Sequence, residues 1–396
     1  MRDLRILSMA VGIVAALLHA TSGLARDSAQ GEPVLGPAPL APNSVAGLPG
    51  GGPRKRDLTQ GAVFSVNGYS REQVRQFYNA VYTASEVIPI NSTGDTANCM
   101  AGSNSSAFQT AELWRINWFR AMSGIPAAVS FSATESADDQ SAALMMSANN
   151  QLLHSGIPPS WSCFANSGTN AADNSNLALG TDGPDAITGY VWDYGAGNRQ
   201  VGHRRWILYP QTQVMASGDM PAQGNYSAAN ATWILDANAG GPRPATTYPF
   251  VAWPPPSYVP YPVVFPQWSF ALSNADVNVA TVTMKSNGVT MSVVIQPYQS
   301  GYGEDTLVWY PSKLDPTTIN TIFPFSGADT VYTISISNVN TIAGVTNFSY
   351  NVTVFNPALP GEDFVPTLVS GTNFPSVNMS NDYSCSPSAN PNATGK

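Results

Sequence analysis

Residues 201–210 read VGHRRWILYP. His203, Arg204 and Arg205 stand directly against Trp206, Ile207 and Leu208, in a chain whose charged residues make up only 11%, against roughly a quarter in an ordinary soluble protein. Charge that scarce, placed at the mouth of an apolar run, asks for a partner. The run is short and stops at Pro210, so it reads as the start of a strand. The stretches TQVMASGDM and ATWILDA, bounded by Gly, Pro and Asn, read as strands after it.

Upstream of this stretch the pattern is helical. SREQVRQFYNAVYTASEV opens a helical extension over 63–105, and SSAFQTAELWRINWFRAMSGIP reads as a helix of about four turns stopped by Gly124 and Pro126. In FSATESADDQSAALMMSANNQLLHSG, Ser132 and Glu135 form a capping-box pair. Ala137, Ser141, Leu144, Met145, Ala148 and Leu152 then repeat at helical spacing, which places His154 at the end of an amphipathic helix. DGPDAITGYVWDYG signals a further helix with Asp182 as N-cap and Pro184 in its first turn. Helices followed by strands predict an α+β domain over 106–240.

The flanks differ in character. Residues 26–62 are rich in Pro, Gly and Ala and are expected to be a disordered linker. The proline-dense stretch 241–262 reads as an extended connector. From 263 to 358, ATVTMKSNGVTMSVVIQPY, DTLVWYP, DTVYTISISNV and TNFSYNVTVFNP alternate with period two around tight turns, which predicts an immunoglobulin-like β-sandwich. The polar residues 359–396 are expected to be a disordered tail. GYGE at 301–304 reads as a turn between strands.

Composition bounds the setting. A basic MRDLR, the apolar run ILSMAVGIVAALL and the small residues TSGLA predict a signal peptide over 1–25 and a secreted, extracellular or periplasmic, protein. No later apolar run approaches the ~18 residues of a membrane span. His19 lies in the signal, which leaves His154 and His203 as the only histidines of the mature chain. A net charge of −8 excludes a nucleic-acid partner, which would need clustered Lys and Arg. The one basic cluster, PRKR at 53–56, reads first as a solvated loop and second as a processing site. Of Cys99, Cys163 and Cys385, the first two flank the same helical region and are the favoured disulfide pair.

The chemistry-bearing motifs are few. No H-E-x-x-H, G-x-S-x-G or Gly-rich phosphate loop occurs, and no third histidine completes a serine triad. Trp114, Trp118, Trp192 and Trp206 invite a sugar- or lipid-binding reading, but aromatic residues on such elements ordinarily fill core. Arg204 or Arg205 is expected to pair with a carboxylate such as Asp193 while its stem covers apolar surface.

Taken in order, NWFRAMSGIP, LLHS, NSNLALG, AITGYVWD and VGHRRWIL resemble the CAP superfamily of cysteine-rich secretory, antigen 5 and pathogenesis-related proteins (the SCP domain), in its bacterial secreted form. The likeness covers about 110 to 240, roughly a third of the chain. It implies an α-β-α sandwich with a cleft lined by two histidines and two acidic residues. By this resemblance His154 and His203 are the histidines and the second acid falls on Asp193, a shorter side chain than the family's usual glutamate. The first acid falls on Ser175, so that carboxylate is missing, with Asp173 the nearest substitute. A catalytic zinc takes three protein ligands and an open position. Two histidines and one short acid imply at most a weakly bound divalent cation such as zinc at His154 and His203. The resemblance thus implies a non-enzymatic protein that binds a small apolar ligand of the lipid or sterol class, or an extracellular protein partner. The alternatives are a metal-dependent hydrolase using the same cleft, and a structural envelope or extracellular matrix component.

Overall fold

A computed structural model of the chain describes residues 32–41, 58–59, 63–319 and 321–361. The expected signal peptide, the PRKR cluster, Cys385 and all but the first few residues of the expected tail lie outside them. The described residues form a mixed α+β protein. Its first half carries α1 (Arg71–Phe77), α2 (Thr83–Glu86), α3 (Ser106–Met122), α4 (Ala133–Asn149), α5 (Asn166–Asn174), α6 (Gly183–Trp192) and α7 (Gly202–Ile207). The same half contributes β1 (Val34–Leu35), β2 (Leu58–Thr59), β3 (Ser130–Ser132), β4 (Ser175–Leu179), β5 (Val214–Met215), β6 (Gly218–Met220) and β7 (Ala229–Trp233).

The helix signals act locally. Ser105 accepts the Phe108 N–H at the start of α3, and Ser132 accepts the Glu135 N–H at 3.4 Å at the start of α4, each satisfying one donor that a helix N-terminus leaves free. α4 stops at Asn150, whose left-handed backbone (φ 46°) closes the helix. His154 therefore sits in the loop beyond α4, not on its last turn. Asp182 occupies the N-cap position of α6 with Pro184 in the first turn, and α6 ends on Asp193, also left-handed at φ 61°.

Antiparallel pairing gives a sheet in the order β1-β4-β7-β6 with helices on both faces. Leu177 of β4 packs with α4 and α5 in one apolar cluster, while its neighbour Ala178 belongs to the cluster of α3 and α6, as the period of two in a strand requires. A smaller sheet, β2-β3-β5, adjoins it where Ala216, just after β5, exchanges backbone hydrogen bonds with Trp233 of β7.

Two expectations are corrected here. Residues 203–207 are helix, not strand. A strand would put His203 and Arg205 on one face and Arg204 and Trp206 on the other. Those four side chains have four different destinations, and the ~100° steps of a helical turn serve them. The expected disordered linker is also ordered in part: β1 lengthens the main sheet along β4, and Leu58–Thr59 pair with Phe131 and Ser132. Composition signals the lack of a core within 26–62 but is blind to a sheet edge supplied from elsewhere.

The second half comprises β8 (Val251–Trp253), β9 (Tyr258–Pro260), β10 (Trp268–Ala271), β11 (Ala275–Asp276), β12 (Thr281–Ser286), β13 (Val289–Met291), β14 (Val293–Ile295), β15 (Thr306–Pro311), β16 (Thr330–Thr341) and β17 (Gly344–Phe355). One sheet runs β14-β15-β10-β8 and the other β13-β12-β16-β17-β9, with β11 on β16. They face each other through aromatic pairs, Trp268 with Tyr332 at 5.6 Å and Phe270 with Phe348 at 5.1 Å. The stretch 241–262 is extended, yet it is no free connector. It supplies β8 to one sheet and β9 to the edge of the other, where Pro260 needs no ladder donor. Trp253 of β8 reaches into the first half and packs at 4.9 Å from Phe119 of α3, so one apolar cluster runs through both halves.

Candidate functional site

The turn from α6 into α7 builds the centre of the site. Left-handed backbone at Asp193 turns its carboxylate back toward α7, where Oδ1 lies 2.7 Å from His203 Nδ1 and Oδ2 accepts the Arg204 N–H at 3.2 Å. Both partners of the pair are fully buried. The Tyr190 ring stacks on the imidazole at 5.5 Å, and its hydroxyl donates to Asn230 Oδ1 at 2.7 Å. Asn176 of β4 donates to the His203 carbonyl. The imidazole is thus held on one nitrogen and one face, while Nε2 is buried without a hydrogen-bond partner among the described residues.

His154 approaches the same region from the loop after α4. Its Nδ1 lies 2.7 Å from the Ala172 carbonyl oxygen and its Nε2 2.6 Å from that of Pro37. Only a doubly protonated ring can donate to both. Burial pulls this imidazole below its ordinary pKa, a charge on His203 acts the same way, and the two carbonyls oppose them. The segment 32–41 spans the two histidine regions: Pro37 meets His154, and Ala38 lies against Gly202, the residue before His203.

Ser175 carries no carboxylate of its own but touches one from α4. Ser175 Oγ donates to Asp139 Oδ1 at 2.7 Å, and the Trp233 N–H donates to Oδ2 at 2.9 Å. Burial holds the Asp139 carboxyl well above the usual range, against the pull of those two bonds. Asp173, the substitute expected from sequence, is exposed on α5.

A second carboxyl group of contacts was invisible to the motif reading. Glu112 of α3 and Asp219 of β6 are fully buried. Glu112 Oε1 accepts from Ser217 at 2.6 Å, and Asp219 Oδ1 accepts from the Gly183 N–H at 2.6 Å and from Asn230 at 2.8 Å. Burial, and for Glu112 the charge of Asp219, raise both pKa values, so the pair as a unit holds a proton above the ordinary carboxyl range. The available signal was a glutamate in AELWRINWF on the face that also carries Arg115 and Phe119.

Among the described residues neither arginine side chain is within ion-pair distance of a carboxylate, although Asp193 acts on both through its charge. Arg204 donates to the carbonyls of Val191, Trp192 and Gln267 and to Ser269 Oγ, and Arg205 donates to the carbonyls of Gln299 and Glu304. They fasten α7 to the second half of the chain. A guanidinium has five donors and a carbonyl cage satisfies several of them without importing another charge. Of the four tryptophans, Trp118 and Trp206 are buried and Trp114 and Trp192 half-buried against the same core.

As arranged, His154 offers a metal no free nitrogen, and no group of three His, Cys, Asp or Glu side chains among the described residues is placed to share an ion. The residues present do not fit a zinc centre in this conformation. Cys99 and Cys163 form a disulfide across a separation of 64 residues, as their placement suggested. No helix among the described residues is long and apolar enough to cross a membrane. No protein-family model and no curated protein matches this chain.

Proposed function

We propose that this chain is a secreted binding protein of the CAP type, with an immunoglobulin-like sandwich appended, and that its histidine face takes a protein partner rather than turning over a substrate. The reading rests on the motif order, on helices packed against both faces of the β1-β4-β7-β6 sheet, and on a disulfide suited to an oxidising compartment. The observation that carries it is His154, whose two nitrogens lie 2.7 and 2.6 Å from backbone carbonyls, one of them on an extended segment. Such an imidazole offers a ring N–H to a peptide oxygen. A lipid is the weaker ligand class: the cavity beside Arg204, Tyr209 and Glu304 is about 20 Å³, and the wide depression near the disulfide is walled by Asp95, Asn150, Gln223 and Tyr226.

One observation favours the hydrolase reading, the carboxylate-bound His203 with its unpartnered Nε2. Zinc titration calorimetry on the wild type, His154→Ala and His203→Ala separates the two. Binding without catalysis expects no saturable zinc heat that the substitutions remove. One zinc per chain, lost in both variants, would replace this reading with the metal hydrolase.

A further inference from the structure

Residues 32–41, EPVLGPAPLA, lie on the protein as a bound peptide lies on a receptor. Val34 and Leu35 add an antiparallel strand to the edge of β4, opposite Leu179 and Ala178, and the Gly36 N–H donates to the Leu177 carbonyl at 3.3 Å. Beyond that point the groove reads the chain two residues at a time. His154 Nε2 meets the Pro37 carbonyl at 2.6 Å, Trp206 Nε1 donates to the Pro39 carbonyl at 2.7 Å, and the Ala41 N–H donates to the Gly301 carbonyl at 2.7 Å. Pro33, Leu35, Ala38 and Pro39 are buried while Val34, Pro37 and Leu40 face out. Leu35 enters beside Gly189 of α6, and Ala38 rests where a Cβ on Gly202 would come within 2.7 Å of it.

Every element of this contact set suits an extended, proline-rich ligand. Prolines bring carbonyls but no N–H, so Pro39 loses nothing opposite the Trp206 donor, while the N–H groups of Gly36 and Ala41 meet the Leu177 and Gly301 carbonyls. The strand edge supplies affinity through main-chain bonds and the pockets at Leu35 and Ala38 supply selectivity, the pattern of strand addition with alternate side chains read. Trp206 donates its indole N–H to the Pro39 carbonyl, and the His154 ring lies against the Pro37 carbonyl two residues earlier.

We propose that the groove between β4, His154, α6 and α7 is a binding site for extended proline-rich peptides with a small residue at the position of Ala38, and that residues 32–41 are its tethered ligand. This deepens the binding reading above and rests on it. The basic Arg54-Lys55-Arg56 sequence falls between the tethered ligand and β2. A cut there breaks the covalent link between residues 32–41 and the rest of the described chain and makes them exchangeable with a peptide in trans, because the tether's effective concentration is lost.

The test uses the full chain with a specific-protease recognition sequence in place of Arg54–Arg56, folded first and cut afterwards. A fluorescein-labelled peptide of residues 31–43 is offered to cut and uncut protein and followed by anisotropy. The expected result is saturable uptake by the cut chain, little by the uncut chain, and uptake weaker by roughly tenfold or more for the Ala38→Trp peptide, which overfills its pocket. Equal uptake by cut and uncut protein, equal uptake of the two peptides, or no uptake by the cut chain overturns the proposal. So does loss of near-ultraviolet circular dichroism on cutting, which makes the segment part of the folding core. The zinc titration is independent: a failed exchange with zinc silent removes only the groove, whereas zinc held through both histidines removes the binding reading itself.

Discussion

Asp193 and His203 stand ten residues apart, at the end of α6 and in the first turn of α7, and their side chains meet at 2.7 Å with neither exposed to solvent. Removing one member of such a pair leaves the other buried without its partner. Asp193→Ala is expected to cost about 3–5 kcal/mol, some of it from forcing alanine into a left-handed backbone. Asp193→Asn, which tolerates that backbone and can still accept from Nδ1, is expected to lose clearly less. Urea unfolding of both variants checks the order, and equal losses would mean that the backbone rather than the pair sets the cost.

Arg204 ties α7 to β10 through carbonyls on both sides of the junction, Val191 and Trp192 on one and Gln267 on the other. Arg204→Leu fills the space but leaves those oxygens short of donors, at about 1–3 kcal/mol for each one stranded. Calorimetric scans are expected to show the single transition broaden or split as the two halves uncouple. A sharp transition at the wild-type temperature would show that the shared apolar cluster holds the halves together unaided.

The Cys99–Cys163 bond closes a loop with a sequence separation of 64. Loop entropy assigns it about 4 kcal/mol of stability. Cys163→Ser is expected to lower the unfolding midpoint correspondingly. Thiol titration of the denatured, unreduced wild type should find one free cysteine, Cys385, and three after reduction. Two or more free thiols before reduction would remove the bond from the protein in solution.

Burial raises the Glu112 and Asp219 pKa values, Asp219 to about 6. The folded state therefore binds more protons than the unfolded chain once pH exceeds the ordinary carboxyl range near 4. Stability linked to this pair is fully present below that range and declines as pH rises through about 6 and beyond. Glu112→Gln keeps a hydrogen-bond donor without a titrating proton. It is expected to flatten the slope of unfolding free energy against pH by up to about 1.4 kcal/mol per pH unit, the value of one proton. An unchanged slope between pH 5 and 8 would mean that the pair ionises freely in the fold.

Much of the architecture was legible from signals confined to a turn or two of chain. Ser132 three residues before Glu135, Pro184 after Asp182, and Gly124 with Pro126 each mark a helix end through groups adjacent in sequence. The same local reading favours the disulfide that forms, but it pairs Asp193 with an arginine, and only the resemblance sets Asp193 and His203 on one cleft. What it missed depends on partners far away in sequence. Ser175 finds its carboxylate on Asp139, 36 residues back, and Glu112 finds Ser217 105 residues on. Residues 32–41 have no core of their own: they are ordered on the edge of β4, beside His154 and Trp206, with Leu35 and Ala38 entering an apolar cluster built by distant segments. The run after His203 is apolar enough for a strand, and only the four separate destinations of His203, Arg204, Arg205 and Trp206 make it a helical turn. Capping and periodicity are set by backbone geometry within a few residues. The pairing of a buried polar group is set by whichever donor or acceptor the completed packing brings within about 3 Å, and that is decided only when distant segments meet.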